Sequence, residues 1–156
     1  MLMKNTLMKV LNQAGQIQRD KFRTSLKVSI KESDSSVVTE VDYACEKVIF
    51  DTIRQSFPDH NLVGEESGFV HNGSDYTWIV DPLDGTSNFA AGIPWFGILV
   101  AVLKGNQPIM AGSLLPLENT FCYAASGEGT WIDGKRVRMA EKKLSSALIA
   151  FSMDYT

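Results

Sequence analysis

The sequence has few of the residues that build disulfide frameworks and zinc sites. Its 156 residues include two cysteines, Cys45 and Cys122, and two histidines, His60 and His71. Two cysteines do not form a disulfide framework, and both lie in apolar segments, so we expect buried free thiols. The two histidines stand isolated in predicted loops, which predicts surface residues and offers no set of ligands for zinc.

Long apolar runs and an excess of one charge are also missing. No segment approaches the roughly 18 apolar residues of a membrane helix. Lys4 and Lys9 interrupt the apolar start of the chain and no small-residue cleavage site follows, so we expect no signal peptide. The 15 basic and 18 acidic residues are interleaved and give a net charge of −3. We therefore expect a globular, cytoplasmic protein with no membrane partner and no nucleic-acid partner.

The apolar periodicity predicts two helices followed by a series of strands. Helical spacing extends over about residues 3 to 23, and again from near Thr39 to the stop at Pro58. Strand-like segments then follow, and turn signals at 105–106, 118–119 and 133–134 join them as hairpins. The continuously apolar "WFGILVAVLKG" predicts a strand covered on both faces. The pattern predicts an α+β fold with two long helices packed on a largely antiparallel sheet.

Acidic residues recur at the ends of these predicted elements: Asp42, Glu65, Glu66, Asp81 and Asp84. Each has a purely structural interpretation, because Thr39 and Asp42 have the spacing of a capping box and the others could simply form turns. Together they suggest a site. Carboxylates on either side of the exposed Leu83 carbonyl supply only oxygen ligands, which suit a hard divalent cation such as Mg²⁺.

A helix is predicted to open directly after these aspartates, at Gly85-Thr86-Ser87-Asn88. The free N–H groups of a helix start can hold a phosphate. Carboxylates that bind Mg²⁺ beside amides that bind phosphate describe a site for phosphoryl transfer. Two metals about 4 Å apart can activate a water and stabilise the leaving oxygen.

Three segments of the chain resemble one known family. "VVTEVD" at 37–42, "GEES" at 64–67 and "DPLDGTSNF" at 81–89 are similar to motifs of the inositol monophosphatase family of Mg²⁺-dependent, lithium-sensitive phosphomonoesterases. The DPxDGTxNF string is the specific one, and the resemblance extends over nearly the whole chain. It implies a layered, sugar-phosphatase-like fold, and we expect a homodimer.

The resemblance implies a role for each matching residue. The first metal would be held by Glu65, Asp81, the Leu83 carbonyl and Thr86. Asp81 would bridge to a second metal that Asp84 also binds, and Asp42 would support a third through water. Glu66 and Thr86 would orient and deprotonate the attacking water. The phosphate would be bound by Gly85, Thr86 and Ser87, with Lys31 nearby on a loop.

The second α/β domain of that family, with its W-D-x-A-A-G-like motif, has no counterpart in this sequence. We therefore expect residues 1–143 to form the metal- and phosphate-binding domain, and an apolar strand over 144–156 to begin a second domain. The expected function is a phosphatase acting on a small sugar or polyol phosphate such as inositol 1-phosphate. The alternatives are a 3′(2′),5′-bisphosphate nucleotidase or fructose-1,6-bisphosphatase of the same family, or a catalytically incomplete fragment that binds metal and phosphate.

Overall fold

The computed structural model describes residues 1–31 and 36–138, together with residues 141, 143 and 145. Apart from residue 145, the strand predicted over 144–156 lies outside the described residues. None of the helices in the described ranges is long and apolar enough to cross a membrane.

Two long helices form one layer, as predicted. Helix α1 spans Leu2–Lys21 and helix α2 spans Glu40–Ser56. They pack on each other and on the main sheet through their apolar faces, which are fully buried. Gly15 allows the close approach of α1 to the sheet, because a Cβ there would lie 2.5 Å from Leu114 Cδ2.

The strands form a small and a large sheet. The small sheet is an antiparallel pair, β1 (Val28–Ile30) and β2 (Val37–Thr39), in the polar stretch that precedes α2. The large sheet consists of β3 (Asn61–Gly64), β4 (Gly68–Val70), β5 (Tyr76–Asp84), β6 (Gly97–Lys104), β7 (Gln107–Leu115), β8 (Thr120–Ala125), β9 (Gly129–Ile132) and β10 (Lys135–Val137). Its strand order is β10-β9-β8-β7-β6-β5-β3-β4.

Only the β3–β5 pair of the large sheet is parallel among the described strands; its other neighbours run antiparallel. Strands β6 to β10 follow one another as hairpins or neighbouring strands, with turns at the predicted positions. Asp133 and Gly134 both have positive φ, as a two-residue hairpin turn requires. The predicted α+β fold with a largely antiparallel sheet is therefore confirmed.

The helices cover one face of the large sheet. Ile98, Val100 and Val102 of β6 point toward the helices and are buried, whereas Leu99 on the opposite face is 42% exposed and its neighbour Ile79 is 40% exposed. The prediction that this strand is covered on both faces is wrong for the described part of the chain. Apolar residues on both faces of a strand show that both faces can be buried. They do not show which segment of the chain covers each face.

The two cysteines differ in burial. Cys45 on α2 is buried, as predicted, and burial raises the pKa of its thiol to about 12. Cys122 on β8 is only half-buried, so the prediction of a second buried thiol is wrong. Its side chain lines a depression of about 300 Å³ on the open face, together with Ile79 and Leu99.

His60 is half-buried and packs among aromatic rings, which differs from the predicted surface position. Its ring stacks between Phe57 and Tyr76, with centroids 4.6 and 4.9 Å away, and its Nδ1 accepts a hydrogen bond of 2.9 Å from Trp78 Nε1. Burial lowers the pKa of His60. His71 is exposed, as predicted.

Candidate metal and phosphate site

The aspartates of the site lie where strand β5 leaves its regular register. Asp81 pairs with Leu99 and Asp84 pairs with Gly97, so the β5–β6 ladder has an irregularity between the two aspartates. Within it, the Leu83 N–H donates to Asp81 Oδ1 at 3.2 Å. A bulge of this kind re-aims side chains at the end of a strand, and here Asp81 and Asp84 lie at the irregular end of β5.

Gln18 of α1 supports this irregular end of β5 from the core. Its side chain is fully buried, and its Nε2 donates to the Pro82 carbonyl at 2.9 Å and the Gly97 carbonyl at 3.3 Å. Gln18 is not among the functional residues predicted from the sequence. The available signal was a polar side chain within the apolar stripe of an amphipathic helix.

The chain then turns sharply into a short helix, α3 (Thr86–Ala90). Gly85 precedes it with a φ of 86°, and a Cβ at Gly85 would lie 2.9 Å from the Trp95 carbonyl oxygen. Both observations explain glycine at this position. Ser87 is exposed in the first turn of α3, so the predicted phosphate-binding residues Gly85, Thr86 and Ser87 are consecutive at its start.

Thr86 and Asp42 join two distant elements. Thr86 Oγ1 lies 2.9 Å from Asp42 Oδ1 and 2.9 Å from the Leu83 carbonyl oxygen. The other oxygen of Asp42, Oδ2, accepts from the Thr39 N–H at 2.8 Å and from Thr39 Oγ1 at 2.6 Å. The capping box is therefore confirmed, and the same carboxylate, only 1% exposed, also fixes Thr86.

The two glutamates lie on the turn that follows β3 and meet the predicted lysine. Lys31 Nζ is 2.9 Å from Glu65 Oε1 and 2.7 Å from Glu66 Oε1. The Glu66 side chain is nearly buried, whereas that of Glu65 is half exposed. Burial alone would lower the pKa of Lys31, but the two carboxylates raise it above its usual range. Burial raises the pKa of Glu66, against the opposing effect of Lys31.

Asp81 has the most perturbed carboxyl group of the site. Its pKa is raised to about 7, first by burial and then by the negative charges of Glu65 and Asp84. Carboxylates crowded in this way repel each other unless a cation or a proton lies among them.

The donors fit a hard divalent cation by their chemistry. The set of Glu65, Asp81, Asp84 and the Leu83 carbonyl contains only oxygen donors, and the negative charges of Glu65 and Asp84 add to burial in raising the pKa of Asp81. Over the described ranges, no three His, Cys, Asp or Glu side chains already converge closely enough to hold a metal. In this structure the Glu65 carboxylate is bound to Lys31. A metal ion at Glu65 would therefore have to displace the lysine.

The comparison with known sequences decides the family. The sequence model of the inositol monophosphatase family matches residues 2–155. This chain belongs to the inositol monophosphatase family. The predicted family and fold are thus confirmed.

Individual relatives carry different names. The chain is 37% identical over 130 residues to a fructose-1,6-bisphosphatase/inositol-1-monophosphatase of Aquifex aeolicus, covering 83% of this chain and 49% of that protein. It is 37% identical over 130 residues to the Nus factor SuhB of Pasteurella multocida, covering 83% of this chain and 47% of that protein. Among solved structures, the inositol monophosphatase of Thermotoga maritima superposes with a TM-score of 0.83 at 33% identity, covering 90% of this chain and 55% of that one. The chain therefore spans about half the length of the relatives it matches.

Proposed function

We propose that this chain carries the N-terminal part of the active site of a Mg²⁺-dependent phosphatase that hydrolyses small sugar or polyol phosphates such as inositol 1-phosphate. The main support is the position of the Thr86 hydroxyl, which lies 2.9 Å from both Asp42 Oδ1 and the carbonyl oxygen of Leu83, the residue before Asp84. Family membership supports the phosphatase class, and the substrate is part of the proposal.

Mg²⁺ in this site would supply Lewis acidity to a phosphoryl oxygen and lower the pKa of a bound water. For the first ion we propose Glu65, Asp81, the Leu83 carbonyl and Thr86 as ligands. Asp81 and Asp84 would hold a second ion, and Asp42 would support a third through water. All of these groups are oxygen donors of the kind that Mg²⁺ prefers.

Thr86 and Glu66 are the proposed catalytic residues. A threonine hydroxyl has one proton and two lone pairs. When Thr86 donates to Asp42, a lone pair of Oγ1 is free to accept a hydrogen bond from the attacking water and to orient it. Glu66 would take the proton from that water, and its raised pKa favours proton uptake.

Binding of the phosphate would use the start of α3. The N–H groups of Gly85, Thr86 and Ser87 lie at its first turn, where backbone donors lack partners within the helix. Lys31 adds a cation that contacts Glu65 and Glu66.

A second substrate has specific support. The Aquifex aeolicus relative is named for both fructose 1,6-bisphosphate and inositol 1-phosphate, so fructose 1,6-bisphosphate belongs in the same assay. A 3′(2′),5′-bisphosphate nucleotide remains an alternative substrate within the family, and an incomplete fragment that binds only metal and phosphate remains the alternative to an enzyme. A homodimer, a cytoplasmic location, lithium sensitivity and the absence of a nucleic-acid partner stay predictions, and one relative is named as a Nus factor.

The test is phosphate release from inositol 1-phosphate and fructose 1,6-bisphosphate, with Mg²⁺ and with EDTA. We expect release that requires Mg²⁺, and we expect Glu66→Gln to lower it by about 10²–10⁴-fold, the usual contribution of a general base. Calorimetry should show nearly unchanged Mg²⁺ affinity in Glu66→Gln. Loss of metal affinity together with rate would mean that Glu66, not Glu65, is the metal ligand, and release unaffected by EDTA would contradict the proposed function.

A further inference from the structure

Helix α2 directs a second buried carboxylate toward the site. Glu46 follows Asp42 by four residues, so the two side chains share one face of the helix. Glu46 is 4% exposed, and none of the ion pairs between described side chains involves it. Burying a carboxylate is costly unless strong hydrogen bonds replace its hydration. The group that donates a hydrogen bond to Glu46 therefore indicates the role of this carboxylate.

The partner is the backbone of the glutamate turn. Glu46 Oε2 accepts a hydrogen bond of 2.9 Å from the Glu66 N–H. Hydrogen bonds to an ionised acceptor are about twice as strong as those between neutral groups. The Glu66 side chain, on the same residue, binds Lys31 at 2.7 Å. Glu46 thus fixes the peptide from which both glutamates of the turn project.

Gly64 provides the space for this contact. A Cβ at Gly64 would lie 2.1 Å from Glu46 Oε2 and 2.9 Å from Phe50 Cζ. Its backbone does not have the positive φ that often accounts for glycine. The approach of the Glu46 carboxylate explains why position 64 has no side chain.

We propose that Glu46 is a positioning residue for the active site, which holds the Glu65-Glu66 turn through the Glu66 N–H. Asp42, one helical turn earlier, binds Thr86 after β5 through the threonine hydroxyl and not through a backbone N–H. Helix α2 thereby contacts both the Glu65-Glu66 turn and the first residue of α3, which follows Asp84 closely in the chain. The consequence for catalysis rests on the proposed function, whereas the positioning of the turn does not.

The first experiment compares Glu46→Ala with Glu46→Gln in the full 156-residue chain. Glu46→Ala removes the acceptor, so the Glu66 amide should lose its protection from hydrogen exchange. Mg²⁺ affinity and kcat should fall by about 10–100-fold, the usual effect of removing a group that orients metal ligands. The KM for inositol 1-phosphate should change little, because the proposed phosphate contacts lie at Gly85 to Ser87. Glu46→Gln retains a carbonyl acceptor and should remain close to the unchanged protein.

The second experiment tests the geometry through Gly64. Gly64→Ala should displace the Glu46 carboxylate and reproduce the loss of Glu66 amide protection. In the Glu46→Ala background the added methyl meets no carboxylate, so Gly64→Ala should then have a smaller effect on Mg²⁺ affinity. A double-mutant cycle measures this difference. Strictly additive effects would overturn the proposed contact.

Thr52→Ala is the matched control, because Thr52 is an equally buried polar residue of α2 whose hydroxyl bonds Gln13 Oε1 at 2.9 Å. It should lower stability without changing Glu66 exchange, Mg²⁺ affinity or kcat. The proposal is overturned if folded Glu46→Ala leaves Glu66 exchange unchanged, or if it behaves like Thr52→Ala. If the unchanged chain neither binds Mg²⁺ nor releases phosphate, the proposed function fails, and Glu66 exchange alone still decides whether Glu46 holds the turn.

Discussion

The hydroxyl of Thr86 carries one proton, yet two acceptors lie 2.9 Å from its oxygen. A carboxylate attracts that proton more strongly than a neutral carbonyl does. With Thr86 donating to Asp42, the Leu83 carbonyl keeps its lone pairs for a cation. One buried carboxylate can therefore cap a helix, orient a hydroxyl and leave the Leu83 carbonyl, a proposed metal ligand, free to accept. The cap follows from the Thr39–Asp42 spacing, but the bond between Asp42 and Thr86 joins residues 44 positions apart and no local pattern predicts it.

The unequal surroundings of two aspartates lead to a prediction about metal binding. Burial, together with the negative charges of Glu65 and Asp84, raises the pKa of Asp81 to about 7. The oxygens of Asp42, in contrast, already accept hydrogen bonds from Thr39 and Thr86. We expect Asp81→Asn to weaken Mg²⁺ binding more than Asp42→Asn does, because a direct ligand contributes more than an indirect one. Calorimetric titration of both variants measures this. Equal affinities would contradict the assignment of Asp81.

His60 leads to a prediction about pH. Its neutral Nδ1 accepts from Trp78 Nε1, and burial lowers its pKa in the folded protein. The unfolded chain therefore takes up a proton first as the pH falls, so this contribution to the free energy of unfolding is complete above about pH 6.5 and is lost below it. Urea unfolding from pH 8 to pH 5 should show the loss in the unchanged protein.

Two variants separate His60 from other titrating groups. His60→Gln should lack this part of the pH dependence, whereas His71→Gln, at an exposed position, should retain it. Identical pH profiles for the His60 and His71 variants would show that the ring stack does not govern the effect.

At the scale of elements, the site depends on contacts between helices and strand ends. The sequence correctly predicts both helices, the strand that ends near Asp81 and the hairpin turns, because periodicity, capping residues and Asp-Gly pairs are local signals. It does not predict that α1 reaches the β5–β6 bulge through Gln18, since this contact joins residues 64 positions apart.

Gln18 allows a prediction about stability. Gln18→Leu would leave the Pro82 and Gly97 carbonyls without their donor in the core, and each unsatisfied buried group costs about 1–3 kcal/mol. Two unpaired carbonyls would exceed that range, but Gln18→Leu also removes the buried Gln18 Oε1, which has no hydrogen-bond partner among the described residues. We therefore expect urea unfolding to show a net loss of about 1–3 kcal/mol. Gln16→Leu is the control: Gln16 is exposed on the same helix, and surface changes usually stay within about 0.5 kcal/mol. Equal losses would show that Gln18 does not support the bulge.

At the scale of the whole molecule, one layer of helices lies on one side of the large sheet. The opposite face presents Ile79, Leu99 and the half-buried Cys122, and no element of the described ranges packs on it. The sequence predicted an apolar strand here but not this asymmetry, because alternation within β6 is weak and its covering segment is not specified by the strand itself. The chain also matches only about half of its relatives' length.

The partial match to the relatives bears on the activity expected of this chain. As proposed ligands, Asp81 and Asp84 would supply only part of the coordination of a second metal, and an octahedral Mg²⁺ would fill the remaining positions with water. The leaving oxygen would then be poorly stabilised, and the ring of the substrate would lack a wall that orients it. We expect the 156-residue chain to bind one Mg²⁺ well and to be a poor phosphatase by itself. Adding the C-terminal portion of the Aquifex aeolicus relative, fused or as a separate chain, should raise phosphate release by orders of magnitude.

The comparison needs two controls: the C-terminal portion alone, and the same portion added to a Thr86→Val chain, which should remain inactive because the hydroxyl that orients the water is gone. Lithium inhibition and the number of bound Mg²⁺ ions should be measured for each assembly. If the 156-residue chain alone is fully active, binds a second Mg²⁺ tightly and is inhibited by lithium, another group supplies the missing ligand. A second copy of the chain would be the first candidate, because the expected homodimer would place it within reach, and activity that rises with protein concentration would identify it.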